Sequence, residues 1–183
     1  YEERNKEEMT EYTQNRKCIA ELGCLNEIGA IAKAFGSSAL VVSYKSMQAA
    51  VEKIQGLLEA AGVRAIAFTD ILPEPTIACM EAGHRAIQEH ACEMVVAIGG
   101  GTVIDIAKVL AVGGGESIDE LYGMAPELPK RRELVLTPTT CGTGSEVTNI
   151  SIINRTRLGV KQGLVSMQMY ADQAALISQM LMS

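Results

Sequence analysis

The stretch Met94–Val112, MVVAIGGGTVIDIAKVLAV, constrains the fold more than any other part of this 183-residue chain. Met94 to Ile98 is an uninterrupted apolar run, and Gly99, Gly100 and Gly101 follow it. From Thr102 a helical pattern, Val103 to Val112, runs to Gly113, Gly114 and Gly115. A short apolar run bounded by glycine reads as a strand buried on both faces. A helix entered through glycines aims its first N–H groups at one point. Those groups lack intrahelical acceptors, and the helix dipole adds partial positive charge there. A phosphate is the natural occupant. Three consecutive glycines exceed what a turn needs, and they let a ligand approach the backbone closely. Thr102 is expected to cap the helix and offer its hydroxyl to the same anion.

The elements around this unit repeat its plan. Lys17–Ala20 reads as a short strand. Leu25, Ile28, Ile31, Ala32 and Phe35 recur at helical spacing, with Gly36 as the stop. Ala39–Val42 is a short buried strand. Ser46 is expected to cap a helix whose stripe is Ala50, Val51, Ile54, Leu57, Leu58 and Ala61, ended by Gly62. Val63–Phe68 reads as a strand, Pro73 and Pro75 forbid regular structure, and Thr76 opens a helix with Ile77, Met80, His84, Ile87 and Ala91 on one face. Alternating strands and helices predict an α/β fold, a Rossmann-like open parallel sheet with right-handed crossovers and helices on both faces. Residues 116 to 132 read as mostly loop, with a short helical hint at Ser117–Tyr122, and Glu133–Thr137 as strand. Ser151–Asn154 and Lys161–Met169 are expected to pair as a β-hairpin, and Ala174–Ile177 to form a last strand. The predicted organisation is one domain over 17 to 183, with residues 1 to 16 as an N-terminal arm.

Composition narrows the function. Hydrophobic residues make up 48%, which supports a real core, while a formal charge of −6 and 4% aromatics offer neither a basic patch nor a stacking platform for nucleic acid. No apolar run approaches the ~20 residues of a membrane span. Five cysteines without CxxC spacing read as reduced thiols, and the charged YEERNKEEMTEY lacks a signal-peptide core, so the expected location is cytoplasmic.

A second loop, Thr137–Thr148 (TPTTCGTGSEVT), follows its strand as the glycine turn does. In an open parallel sheet both loops lie beyond the carboxyl ends of their strands, where ligands bind. One supplies bare N–H groups, the other the hydroxyls of Thr139, Thr140, Thr143, Ser145 and Thr148. Uncharged donors of this kind suit a pyrophosphate and an amide-bearing ring.

GGGTVIDIAK (Gly99–Lys108) followed some thirty residues later by TPTTCGTGSEVT resembles the iron-containing, or group III, alcohol dehydrogenase family. PEPT (Pro73–Thr76) resembles that family's Pro-Asn-Pro-Thr, Lys161 and Gly163 its Lys-x-Gly, and YADQAALI (Tyr170–Ile177) the strand ending its N-terminal half. The resemblance implies a dinucleotide-binding domain, NAD or NADP as cofactor, and hydride transfer with a short aldehyde, primary alcohol or hydroxy acid. It implies that Gly100, Gly101 and Thr102 hold the pyrophosphate and that Asp105 sits near the nicotinamide end. Thr139, Thr140 and Thr143 would contact the adenosine and ribose, and Thr148 and Lys161 would approach the nicotinamide side. Asp105 also fits as a first-turn carboxylate favoured by the helix dipole, and Lys161 as a solvated hairpin lysine.

Two residues depart from the family pattern. Tyr44 stands where an Asp often binds the adenine ribose, which leaves NADP open, with Lys45 beside it; Glu74 stands for the Asn of Pro-Asn-Pro-Thr. The family's Fe²⁺ (or Zn²⁺) is held by an Asp-x-x-x-His and two further His in a helical second domain. This chain has two histidines, His84 and His90, about 120° apart around a helix, so the ligands are not expected within these residues. The expectation is therefore the cofactor-binding half of such an enzyme, inactive alone, without its second domain and prone to form a homodimer or higher oligomer through an exposed apolar face. Two alternatives stay open: a non-catalytic dinucleotide-binding module, and a fragment of a dehydroquinate-synthase-like or sugar-phosphate enzyme.

Overall fold

The computed structural model describes residues 17–19, 24–72, 74, 76–130, 132–140, 142–155 and 158–176. The arm expected at residues 1 to 16 lies outside them, as do Ala20, Pro73, Pro75, Cys141 and Ile177. The strands are β1 (Lys17–Ile19), β2 (Ser38–Val42), β3 (Arg64–Phe68), β4 (Met94–Gly99), β5 (Glu133–Pro138), β6 (Ile150–Arg155), β7 (Val160–Val165) and β8 (Gln173–Ala175). The helices are α1 (Ile28–Lys33), α2 (Gln48–Ala60), α3 (Ile77–His90), α4 (Gly101–Val112) and α5 (Ile118–Met124).

Six strands form one parallel sheet in the order β1-β8-β5-β4-β2-β3. Helices cover both faces. Ala39, Val41, Met94, Val96 and Ile98 pack with Ile28, Val51, Ile54 and Leu58 of α1 and α2, while Leu40, Val42, Val95, Ala97, Leu134 and Leu136 pack with α3 and α4. The all-buried strands β2 and β4 explain the unbroken apolar runs in the sequence. The chain leaves β2 for β3 at one edge and leaves β4 for β5 in the other direction. The β2–β4 boundary is therefore the topological switch point, where an open sheet leaves a crevice at the strands' carboxyl ends.

The antiparallel hairpin β6–β7 lies outside this sheet, against α4. It explains why α4 is apolar on all sides. Every residue from Val103 to Val112 is buried, the sheet covering one side and the hairpin contributing to the cover of the other.

Several local expectations are corrected. Gly100, not Thr102, is the N-cap of α4, and it makes no side-chain cap bond; the helix starts two residues earlier than expected, placing Thr102 inside its first turn. Met47, not Ser46, precedes α2, because Ser46 falls within a 3₁₀ turn over Lys45–Met47. Helix α1 ends at Lys33 with Ala34 as its C-cap, short of Gly36. Ala91 ends α3 in the left-handed region (φ 48°), which turns it away from the apolar face it was expected to share. β7 ends at Val165 because Ser166 caps a 3₁₀ turn, Met167–Met169. The helical hint at Ser117 becomes a true helix, α5, closed by a capping box in which Ser117 Oγ accepts from Glu120 N and the Glu120 side chain accepts from Ser117 N. Ser117→Ala is expected to lower stability by about 1 kcal/mol, measured as a shift in urea midpoint.

Candidate functional site

The two loops meet at the carboxyl end of β4. Gly99 O accepts from Thr139 N at 3.0 Å, which seats the start of the second loop on the glycine turn. A Cβ on Gly100 would lie 3.3 Å from Thr140 Oγ1. One on Gly101 would lie 3.4 Å from Ser145 Oγ and 3.6 Å from Thr143 Cγ2. The first turn of α4 thus opens into a cradle walled by hydroxyls. Across the switch point, buried Ser43 after β2 donates to Ile98 O at 2.7 Å and fixes the other lip. A Cβ on Gly99 would fall 2.6 Å from Val103 Cγ2, so only glycine lets the strand turn into α4 at this angle.

The remaining expected residues divide into two places. Asp105 is buried. Its Oδ2 accepts from Ile152 N at 3.0 Å, and its backbone oxygen accepts from Ser151 Oγ at 2.9 Å. Burial pushes its carboxyl up, opposed by the Ile152 N–H and by the charge of Lys108. One turn on, Lys108 is fully buried, and its Nζ donates to Thr148 Oγ1 at 2.9 Å and to Ile150 O at 2.8 Å. Burial pulls Lys108 down to about 8 against the pull of Asp105 and Glu146. Thr148 in turn donates its one hydroxyl proton to Ser145 O at 3.2 Å, so toward a ligand its hydroxyl can only accept.

Lys161 stands apart, on β7. It is exposed and paired with Glu74 at 2.8 Å, and Asn154 Nδ2 donates to the other Glu74 oxygen at 2.6 Å. Those two contacts hold the Glu74 carboxyl below its ordinary range, Lys161 most strongly. The Glu that departs from the family's Asn thus ties the segment before α3 to the hairpin. Tyr44 follows β2 in extended conformation, and its half-buried ring packs on the core.

Lys108 is the buried, bonded charge beside this site that the sequence reading passes over, although it closes the motif GGGTVIDIAK. Its signal is a lysine three residues after an aspartate in an otherwise apolar helix, a pattern that requires both charges to find partners inside the fold.

A profile of the family "Iron-containing alcohol dehydrogenase" matches residues 15–178. The chain belongs to that family. It is 41% identical over 107 residues to 4-hydroxybutyrate dehydrogenase of Clostridium kluyveri, covering 58% of this chain and 29% of the relative. It is 31% identical over 170 residues to sulfoacetaldehyde reductase of Bilophila wadsworthia, covering 88% and 43%. Among solved structures, sulfoacetaldehyde reductase from Bifidobacterium kashiwanohense in complex with NAD⁺ superposes with a TM-score of 0.82 at 31% identity, over 93% of this chain and 46% of that one. A 1,3-propanediol oxidoreductase superposes at 0.88 over 96% and 47%, and at 23% identity it shows the fold alone. The chain spans less than half the length of these relatives.

The cradle fits a dinucleotide diphosphate of the kind this family uses: an uncapped helix start, glycines at the points of closest approach, and hydroxyls opposite. The described residues do not fit the family's iron. Among them no three His, Cys, Asp or Glu side chains gather to hold a metal. His84 is buried and packed, His90 ends α3, and Cys79 and Cys92 are buried free thiols whose burial raises them above their ordinary range.

Proposed function

We propose that this chain is the dinucleotide-binding part of an oxidoreductase that transfers hydride between NAD(P)H and a short-chain aldehyde, primary alcohol or hydroxy acid. The observation that carries this reading is the meeting of the glycine turn and the hydroxyl loop at the switch point of the sheet. Gly100, Gly101 and Thr102 are assigned to the diphosphate, and Thr139, Thr140 and Thr143 to the adenosine side. Asp105, Thr148 and Lys161 are assigned to the end where the hairpin lies. The nicotinamide, when bound, supplies or accepts the hydride. The chain's own residues bind and orient it: the helix start neutralises the diphosphate, and the hydroxyls fix the loop around it.

With Tyr44 at the end of β2, no carboxylate stands there to repel a 2′-phosphate, so NADP is as admissible as NAD. The relatives' names, 4-hydroxybutyrate dehydrogenase and sulfoacetaldehyde reductase, support a short substrate carrying a terminal anion. Val147, Ile152, Val165 and Met167, each at least 41% exposed on or beside the hairpin, support association of copies into a homodimer or higher oligomer. No helix among the described residues is long and apolar enough to cross a membrane, in keeping with a cytoplasmic setting.

Calorimetric titration of the 183-residue chain with NADH and with NADPH tests the reading. Saturable binding of at least one is expected, with little alcohol oxidation in added Fe²⁺ or Zn²⁺, because the described residues present no metal ligand set. Binding of neither overturns the reading. Binding without turnover under every metal and alcohol, in an assembly that contains the metal ligands, would favour the second reading, a dinucleotide-binding module without catalysis.

A further inference from the structure

We propose that Lys108 is a positioning residue of the dinucleotide site: from inside the α4–hairpin interface it seats the hydroxyl loop on the glycine turn and thereby sets nucleotide affinity without touching the nucleotide. The inference rests on the reading of that cradle as a dinucleotide site.

The chain of contacts is continuous. Lys108 Nζ donates to Thr148 Oγ1, Thr148 Oγ1 donates to Ser145 O, and Ser145 with Thr143 forms the wall beside Gly101. The second arm of Lys108, to Ile150 O, and the Asp105 carboxylate on Ile152 N hold the first residues of β6 against α4. Residues 105 and 108 lie one turn apart on one helix, so the pair grips alternate residues of a strand. Within the segment between Thr143 and Thr148, local bonds run from Ser145 N to Thr143 Oγ1, from Val147 N to Gly144 O and from Thr148 N to Ser145 O. Gly142 and Gly144 lie at positive φ of 95° and 62°, so the loop's own backbone preference does not fix its path. A buried ammonium is an expensive group to place there unless its partners need holding. Charge-assisted bonds are about twice as strong as neutral ones, which suits a strut.

The charge also gives the inference a signature. Lys108 titrates at about 8, and the ionisable groups facing it are Asp105 from α4 and Glu146 from the loop, while β6 presents it a carbonyl. As pH rises through that value the ammonium becomes an amine and its two bonds, to Thr148 and Ile150, weaken. Nucleotide affinity should therefore fall several-fold between pH 7 and 9. Cys141 lies in the same loop in sequence, so the measurement uses a Cys141→Ala background.

The experiment titrates NADH and NADPH into the parent, Lys108→Met and Thr148→Val between pH 7 and 9, alongside amide hydrogen exchange of the nucleotide-free proteins. Lys108→Met is expected to weaken binding about tenfold at pH 7, to flatten the pH profile, and to speed exchange over residues 143–148 more than over 101–104. Thr148→Val, which removes the outer link and keeps the Lys108–Ile150 bond, should reproduce the exchange effect if Lys108→Met fails to fold. Unchanged affinity and exchange in either folded variant, or a pH profile that persists in Lys108→Met, overturns the inference. A parent that binds neither nucleotide overturns the site reading instead; exchange then decides alone whether Lys108 seats the loop.

Discussion

Gly101→Val is expected to reduce NADH and NADPH binding by about 100-fold, since overpacking costs ~1–3 kcal/mol and each 1.4 kcal/mol is a factor of ten. The added Cβ would already stand 3.4 Å from Ser145 Oγ and 3.6 Å from Thr143 Cγ2. The two γ carbons reach a bond length further, into the loop or into the space of the diphosphate. Either way the cradle closes: the loop is levered off the glycine turn, or the anion loses its approach to the first N–H groups of α4. The substitution leaves the sheet intact, because Gly101 is the first residue of α4 at the rim and not a core residue. Circular dichroism and thermal melting should therefore change little while calorimetric binding weakens by about that factor. Gly101→Ala, whose Cβ makes ordinary van der Waals contact, should keep the apo fold and show an intermediate loss confined to the nucleotide. Equal affinity in the parent and Gly101→Val would remove the glycine turn from the site.

The second large effect is an acid transition controlled by His84. This ring is buried on the inner face of α3. The Val109 backbone of α4 favours the charged ring, and Nε2 is buried without a hydrogen-bond partner. Burial, reinforced by the Arg132 charge, holds the imidazolium down to about 4, against an ordinary value of 6.5. Between those values the unfolded chain carries a proton here that the folded chain does not. Stability is therefore full above pH 6.5 and falls as pH drops toward 4, by up to about 3 kcal/mol. Urea unfolding at pH 7 and at pH 4.5 measures the slope. His84→Phe, close in shape and without a proton to gain, should be much flatter across this window. The lowered carboxylates Glu74 and Glu93 act in the same direction mainly below pH 4.5, and equally in both proteins. A parental slope that survives in His84→Phe would place the acid sensitivity elsewhere.

Much of the architecture is legible in the order of residues. Short unbroken apolar runs announce β2 and β4, because strands in a parallel sheet are covered on both faces and need not alternate. The stripe in α2 and the Thr76 cap of α3 are equally plain, since both depend on residues within four positions of each other. Departures gather at the ends of elements. Thr102 and Ser46 look like caps, but the backbone enters the helix one residue before the first and passes through a 3₁₀ turn at the second.

The linear chain thus specifies a set of units: strand, glycine turn, helix, and a hydroxyl loop after a parallel strand. Those follow from side-chain periodicity and backbone freedom, which act over a few residues. Which unit meets which is settled only once the chain has folded. Lys108 reaches residues forty and more positions away, Asp105 is committed to the hairpin, and Lys161 is held by Glu74 eighty-seven positions earlier. A buried charge announces that it must be paired, but its partner is fixed by the path of a distant chain segment, and no local pattern encodes that path.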